Sequence, residues 1–145
     1  NYFFMLFLND GTHINILMVV KTTQGIQISV KTHYEGRYQN KGSHIELFSY
    51  EISIDNKSEY TVQLLNRQWY IYDSLNQLSE VQGEGIVGKQ PILEPGASHQ
   101  YQSGCHLVST MGAMRGFYEM KRLADDIHFD VEIPTFQLIA PHSNN

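Results

Sequence analysis

The sequence predicts an all-β fold, a sandwich or a barrel of mostly antiparallel strands. Apolar and polar residues alternate along much of the chain, aromatic residues make up 12% of the 145 positions, and turn-forming residues separate the alternating runs. Alternation with a period of two gives a strand one buried and one solvated face. We therefore expect one domain whose core lies between such faces.

Five runs carry the alternation and are predicted to be strands: residues 26–31, 48–55, 60–72, 116–120 and 129–133. Turn-forming residues lie between or beside them at 55–58, 74–77, 95–96 and 125–126. Residues 118–124 are compatible with a short helix, but we interpret them as the end of a strand.

Two aromatic residues in these runs are predicted to be structural. Trp69 lies mid-strand among apolar neighbours and is expected to anchor the core, because so large a ring dominates a small interior. A ligand-stacking role for Trp69 is the alternative. Tyr118 shares one side of its strand with Met120 and is assigned to the same core.

Composition excludes several classes of protein. The net charge of −5 gives no basic face for nucleic acid, and no stretch approaches the ~20 apolar residues that a membrane span needs. The single cysteine, Cys105, rules out an internal disulfide and a cysteine-rich zinc site. One cysteine fits a reducing compartment, so a cytoplasmic location is expected.

The N-terminal residues differ from the rest of the chain. Residues 2–8 (YFFMLFL) form an apolar run without the flanking features of a signal peptide. Met18 directly precedes the regular strand pattern. We expect residues 1–17 to be a non-native extension and residues 18–145 to be the domain.

The segment Gly83-Glu84-Gly85-Ile86-Val87-Gly88 spells G-x-G-x-x-G. Pro91 and Pro95 follow too closely for a helix to continue from the third glycine, so a dinucleotide site is not expected. Backbone amides of such a loop, with Lys89 beside it, remain a candidate site for a phosphate-containing ligand. A turn that needs glycine for its backbone conformation is the alternative.

Other polar groups do not form a recognisable catalytic or metal site. On a strand Cys105 and His106 face opposite sides, so they cannot readily share a metal ion with His99. Ser103-Gly104-Cys105 lacks the strand–elbow–helix that presents a nucleophile. We therefore predict no catalytic residue, no metal ligand and no cofactor.

Several separated segments, in order and spacing, resemble the ApaG family between Gly25 and Pro141. They are residues 64–69 (LLNRQW), 81–91 (VQGEGIVGKQP), 93–96 (LEPG), 101–105 (YQSGC), 112–120 (GAMRGFYEM) and 129–136 (FDVEIPTF). The resemblance implies an antiparallel β-sandwich of the immunoglobulin or fibronectin type III type. It also implies the family's loose associations: cobalt and magnesium resistance or efflux, protein interaction, and pyrophosphate at the glycine loop.

Two functions are therefore open. The first is a non-enzymatic interaction domain with an unknown protein partner and only an indirect effect on divalent cations. The second is binding of a phosphate- or pyrophosphate-containing ligand by Gly83, Gly85, Gly88 and Lys89. Homodimerisation through an exposed strand edge or the run at residues 2–8 is a further alternative.

Overall fold

The computed structural model describes residues 3–7, 16–75 and 78–141, with side chains from Met18 onward except that of Asn40. Within these ranges the chain forms ten strands. They are β1 (Phe3–Phe7), β2 (Ile16–Thr23), β3 (Ile26–Asn40), β4 (Ser43–Asn56), β5 (Val62–Asp73), β6 (Ser79–Glu84), β7 (Ile92–Leu93), β8 (Ser98–Leu107), β9 (Met111–Arg122) and β10 (His128–Ile139).

The strands form two antiparallel sheets. The first has the order β1-β2-β3-β4-β8, and the second has the order β10-β9-β5-β6, with the short β7 also paired to β5. The sheets pack as a sandwich, which confirms the predicted all-β fold of the immunoglobulin or fibronectin type III type. β8 and β6 are edge strands of the two sheets, so the sandwich is open between them.

An aromatic triangle holds the two sheets together. Tyr50 of β4 faces Trp69 of β5 and Phe136 of β10, with ring centroids 5.5 and 5.6 Å away, and the last two rings lie 5.9 Å apart. Trp69 is 4% exposed, and Tyr118 is fully buried beside it in the second sheet. Burial of these rings supplies a large share of the apolar stabilisation.

Strand lengths differ from the sequence-based prediction. β3 has 15 residues and β4 has 14, so both extend well beyond the predicted runs 26–31 and 48–55 and form a long two-stranded arm. A bulge between Tyr34 and Gly36 lets the pair continue where alternation fails. At the tip Lys41 and Gly42 both have positive φ, the geometry of a type I′ hairpin turn.

Other predictions concern the ends and turns of strands. β9 ends at Arg122, which confirms that residues 118–122 finish a strand rather than form a helix. The predicted turn at 74–77 is described only at Ser74 and Leu75, since residues 76–77 lie outside the described ranges. No helix among the described residues is long and apolar enough to cross a membrane.

The N-terminal segment is described only in part. The backbone of β1 pairs with β2, and β2 begins two residues before Met18. Residues 1–2 and 8–15 lie outside the described ranges. The assignment of residues 1–17 as an extension and 18–145 as the domain stays a prediction.

Replacing Trp69 with Ala should lower the free energy of unfolding by about 3–5 kcal/mol, because it removes one of the three rings of the aromatic triangle and leaves a cavity. Urea denaturation measures this change. Leu75→Ala, at an exposed turn position, is the control and should change it by less than about 0.5 kcal/mol. Equal effects of the two substitutions would contradict the anchoring role of Trp69.

Candidate functional site

The glycine loop after β6 is a tight turn. Ile86 and Lys89 exchange two backbone hydrogen bonds, 2.8 and 3.0 Å long. Between them Val87 and Gly88 have φ values of 48° and 74°, as a type I′ turn requires. A β-branched residue is unusual at positive φ, so the exposed Val87 stores backbone strain at the tip.

The other two glycines are needed for close approach. A Cβ on Gly85, whose φ is 63°, would lie 2.2 Å from the carbonyl oxygen of Lys89. A Cβ on Gly83 would lie 2.6 Å from Nη2 of Arg67, because the guanidinium lies flat over this residue. Gly83 therefore makes room for a side chain, whereas Gly85 makes room for backbone.

Most amides of this loop are used internally. The amide of Gly85 donates to the carbonyl oxygen of Leu65, and the amides of Ile86 and Lys89 each donate to the carbonyl oxygen of the other residue. Only the amides of Val87 and Gly88 therefore have no hydrogen-bond partner within the described loop. Lys89 is exposed and makes no ion pair with the described carboxylates. The structure thus brings Gly88 and Lys89 together at the turn and places Gly83 away from them, on β6.

Arg67 is a site residue that the strand pattern did not reveal. A bulge between Leu64 and Asn66 shifts the alternation, so Arg67 shares the inner side of β5 with Trp69. Its Nη1 donates to the carbonyl oxygens of Glu84 and Gly85, at 3.1 and 2.8 Å. The guanidinium therefore holds the start of the glycine loop against the sandwich.

The side chain of Arg67 lines a cleft between the two sheets. We call it the interlayer cleft and define it as the gap of about 370 Å³ between the edge strands β6 and β8. Apolar groups form its inner part: Trp69, Ile71, Met114 and the buried Cys105. Ser79, Val81, Ser103 and His106 line the side toward solvent. The cleft thus combines one fixed positive charge with apolar walls.

Three tyrosine hydroxyls lie near this charge. Tyr50 hydrogen-bonds Ser103, and the hydroxyls of Tyr101 and Tyr118 bond each other. Burial raises the pKa of all three phenols, and the positive charge of Arg67 opposes that rise in each. They remain neutral hydroxyls at physiological pH, so none of them neutralises the guanidinium.

The predicted opposition of Cys105 and His106 agrees with the structure, where the thiol is 8% exposed and the imidazole lies at the surface. Burial, together with the negative charge of Asp73, raises the pKa of Cys105 to about 11. A thiol in this state is a poor nucleophile at neutral pH. Among the described residues, no group of three or more His, Cys, Asp or Glu side chains is arranged to hold a metal ion.

Asp73 organises one end of the sandwich. Its carboxylate accepts hydrogen bonds from the amides of Val108 and Ser109, at 2.8 and 3.3 Å, and from the Ser109 hydroxyl. The Leu75 amide donates to it as well, at 3.3 Å. Asp73 thereby joins the turn after β5 to the turn between β8 and β9.

Beside Asp73 lies an exposed surface that we call the outer patch, on the outer face of the second sheet. Arg115 stacks over Tyr70 and hydrogen-bonds the hydroxyl of Tyr72. Met111 and Ile139 are cross-strand neighbours on the same face. The patch consists of Tyr70, Tyr72, Met111, Arg115 and Ile139 on the paired strands, and we include with it the exposed Leu75 and Leu78, which follow Tyr72 along the chain.

Fold and site together define a small two-sheet β-sandwich protein with a glycine turn at one edge. A family model described as the ApaG domain matches residues 36–122. A protein named ApaG from Brucella suis is 41% identical over 124 residues, covering 86% of this chain and 95% of the relative. The chain belongs to the ApaG family.

Other relatives and solved structures agree. The protein named ApaG from Paramagnetospirillum magneticum is 41% identical over 125 residues, again 86% of this chain and 95% of the relative. The X-ray structure of a Northeast Structural Genomics Consortium target has a TM-score of 0.77 and 37% identity, covering 82% of this chain and 89% of that chain. A Bordetella pertussis protein designated ApaA has a TM-score of 0.71 and 34% identity, covering 81% and 95%.

The substitution Asp73→Asn should make the free energy of unfolding depend less on pH in the acid range. Burial alone would raise the pKa of Asp73, but the hydrogen bonds from Ser109, Val108 and Leu75 lower it below 3.8. The carboxylate's contribution is then fully present above that ordinary value and is lost as the pH falls through the lower folded-state pKa.

We expect Asp73→Asn to cost about 1–3 kcal/mol of unfolding free energy at pH 7. This difference from the parent protein should narrow as the pH falls below 3.8. Urea denaturation at a series of pH values measures it, with the exposed Asp130→Asn as the matched control. A cost independent of pH would contradict a stabilising carboxylate at Asp73.

Proposed function

We propose that this chain is a non-enzymatic interaction domain that binds a protein partner through the outer patch. The supporting observation is the composition of this surface. Protein interfaces are enriched in Tyr, Met and Arg, and the patch combines two tyrosines, Met111 and Arg115 with exposed aliphatic side chains. Isolated exposed apolar residues would need no explanation, but here Arg115 contacts both tyrosines and Met111 pairs with Ile139 across neighbouring strands, and such a group favours recognition.

Rigidity supports the same proposal. The patch residues of β5, β9 and β10 lie on paired strands, and Asp73 fixes the turns that continue the surface. A preorganised surface loses less side-chain and backbone entropy on binding than a mobile loop does. A partner that fits would present an apolar surface with a carboxylate opposite Arg115, since this guanidinium already lies among aromatic rings.

We further propose that any role in cobalt or magnesium resistance is indirect and acts through the bound partner. A cytoplasmic location belongs to the same proposal, since the single buried thiol of Cys105 suits a reducing compartment.

Met111→Glu should abolish partner capture, because it places a charge within the outer patch, directly across from Ile139. Ile127→Glu is the matched control, since Ile127 is 48% exposed and Met111 is 51% exposed. Affinity capture from native lysate with quantitative mass spectrometry compares the two with the parent chain, after thermal denaturation has checked that all three fold. A partner retained by Met111→Glu, or lost equally from both, would rule out the patch.

A second candidate function is binding of a phosphate-containing ligand at the turn, favoured by one observation. Val87 and Gly88 leave two amides at the tip without partners in the described loop, next to the ammonium of Lys89, which forms no ion pair with a described carboxylate. Lys89 also lies close to His99, whose pKa is lowered by burial and by this positive charge. Two amides and one cation suit a pyrophosphate better than a neutral ligand.

Pyrophosphate should therefore raise the melting temperature of the parent protein. At a hundredfold excess over the dissociation constant the stabilisation is about 2.7 kcal/mol. Lys89→Met should remove most of the shift, whereas Lys57→Met makes the same charge change at an exposed position far from the turn in sequence. No shift at millimolar pyrophosphate, or an equal loss in both variants, would reject the turn as the site.

A further inference from the structure

We infer that the interlayer cleft is a binding site for a small organic anion, with one carboxylate or phosphate group on an apolar body. This site is separate from the outer patch and from the turn at Lys89. The juxtaposition that carries the inference is a guanidinium without an ion-pair partner among the described residues, beside an apolar recess that opens to solvent.

The charge of Arg67 is not neutralised by any described residue. Arg67 makes both of its hydrogen bonds through Nη1, to carbonyl oxygens, and forms no ion pair with a carboxylate of the described residues. Among the residues that the structure describes, no Asp or Glu lines the cleft. A half-buried guanidinium normally has a paired anion, because desolvating a charge without a partner is costly. Nε and Nη2 therefore remain available as a planar fork for an oxyanion.

The Arg67 guanidinium is held in place by its neighbours on β6 and in the glycine loop. It lies against the Cα of Gly83, where any side chain would displace it, and the two carbonyl bonds fix its orientation. Gly83 does not have a positive φ, so no turn requires glycine at this position. Its lack of a side chain instead makes room for the Arg67 guanidinium. The edge strand β6 is thus shaped to seat Arg67 at the cleft.

The walls of the cleft suit a ligand with an apolar body. Trp69, Ile71 and Met114 form apolar walls, and about 370 Å³ of space accommodates a ring of six carbons with its charged group. The Ser103 and Ser79 side chains supply hydrogen-bonding groups at the same opening. A bare inorganic ion would leave these walls in contact with water, so an anion with an apolar body fits better.

Trp69 is the single tryptophan of the chain and lines the cleft, so its fluorescence reports directly on occupancy. The probes are cyclohexanecarboxylate, cyclohexyl phosphate, and the neutral cyclohexanecarboxamide of the same shape. We expect saturable changes in emission, with at least one oxyanion binding about tenfold or more tightly than the amide, as one charge-assisted bond gives. The tighter of the two anions identifies the head group.

Three substitutions test the geometry. Arg67→Met should bring the ratio of the amide and anion dissociation constants to about one. Gly83→Ala should have the same effect, because the added Cβ displaces the guanidinium without removing it. Val81→Phe, at the exposed rim, should weaken all probes by narrowing the opening. Lys57→Met is the charge control and should bind like the parent protein.

The inference is overturned if the amide binds as tightly as both anions, or if no probe changes Trp69 emission at about 10 mM, a concentration well above weak millimolar affinities. An anion preference that survives Gly83→Ala and Arg67→Met alike would also overturn it. If Arg67→Met fails to fold, Gly83→Ala alone decides, because alanine suits the backbone there and the atoms it meets belong to a flexible side chain.

Discussion

The packing of Trp69 against Tyr50 and Phe136 is the interaction on which the rest of the structure depends. These rings come from both sheets and lie within 6 Å of one another, so they fix the separation of the layers. The same indole faces the interlayer cleft on its other side. The depth of the cleft is therefore set by the core, and the walls that a ligand would meet are as rigid as the fold.

The glycine loop illustrates how one motif can combine several physical requirements. Gly88 serves a turn with positive φ, Gly85 allows two backbone segments to approach, and Gly83 makes room for Arg67. In a dinucleotide site the corresponding glycines would bring the backbone to a pyrophosphate above a helix. Here the loop closes a strand edge, and its amides are used mainly to hold its own shape.

Much of the fold was predictable because alternation is a direct consequence of strand geometry. Alternation did not predict β8 as a strand, because its inner positions include His99, Tyr101 and Ser103, which are polar or amphipathic. The inward position of Arg67 was not predicted, because the bulge before it shifts the alternation by one residue. The outer patch could not be read from the sequence at all, since its members come from three strands and one turn.

Asp73 stands between the two surfaces. Its carboxylate holds the turns beside the outer patch, and its charge reaches Cys105 in the cleft. Proximity of this kind is not by itself coupling, because a ligand shifts a partner's affinity only if it binds two arrangements of the protein differently. The residues between the surfaces belong to paired strands packed on one core. We therefore expect ligands of the proposed cleft and patch sites to bind independently, with binding free energies that add.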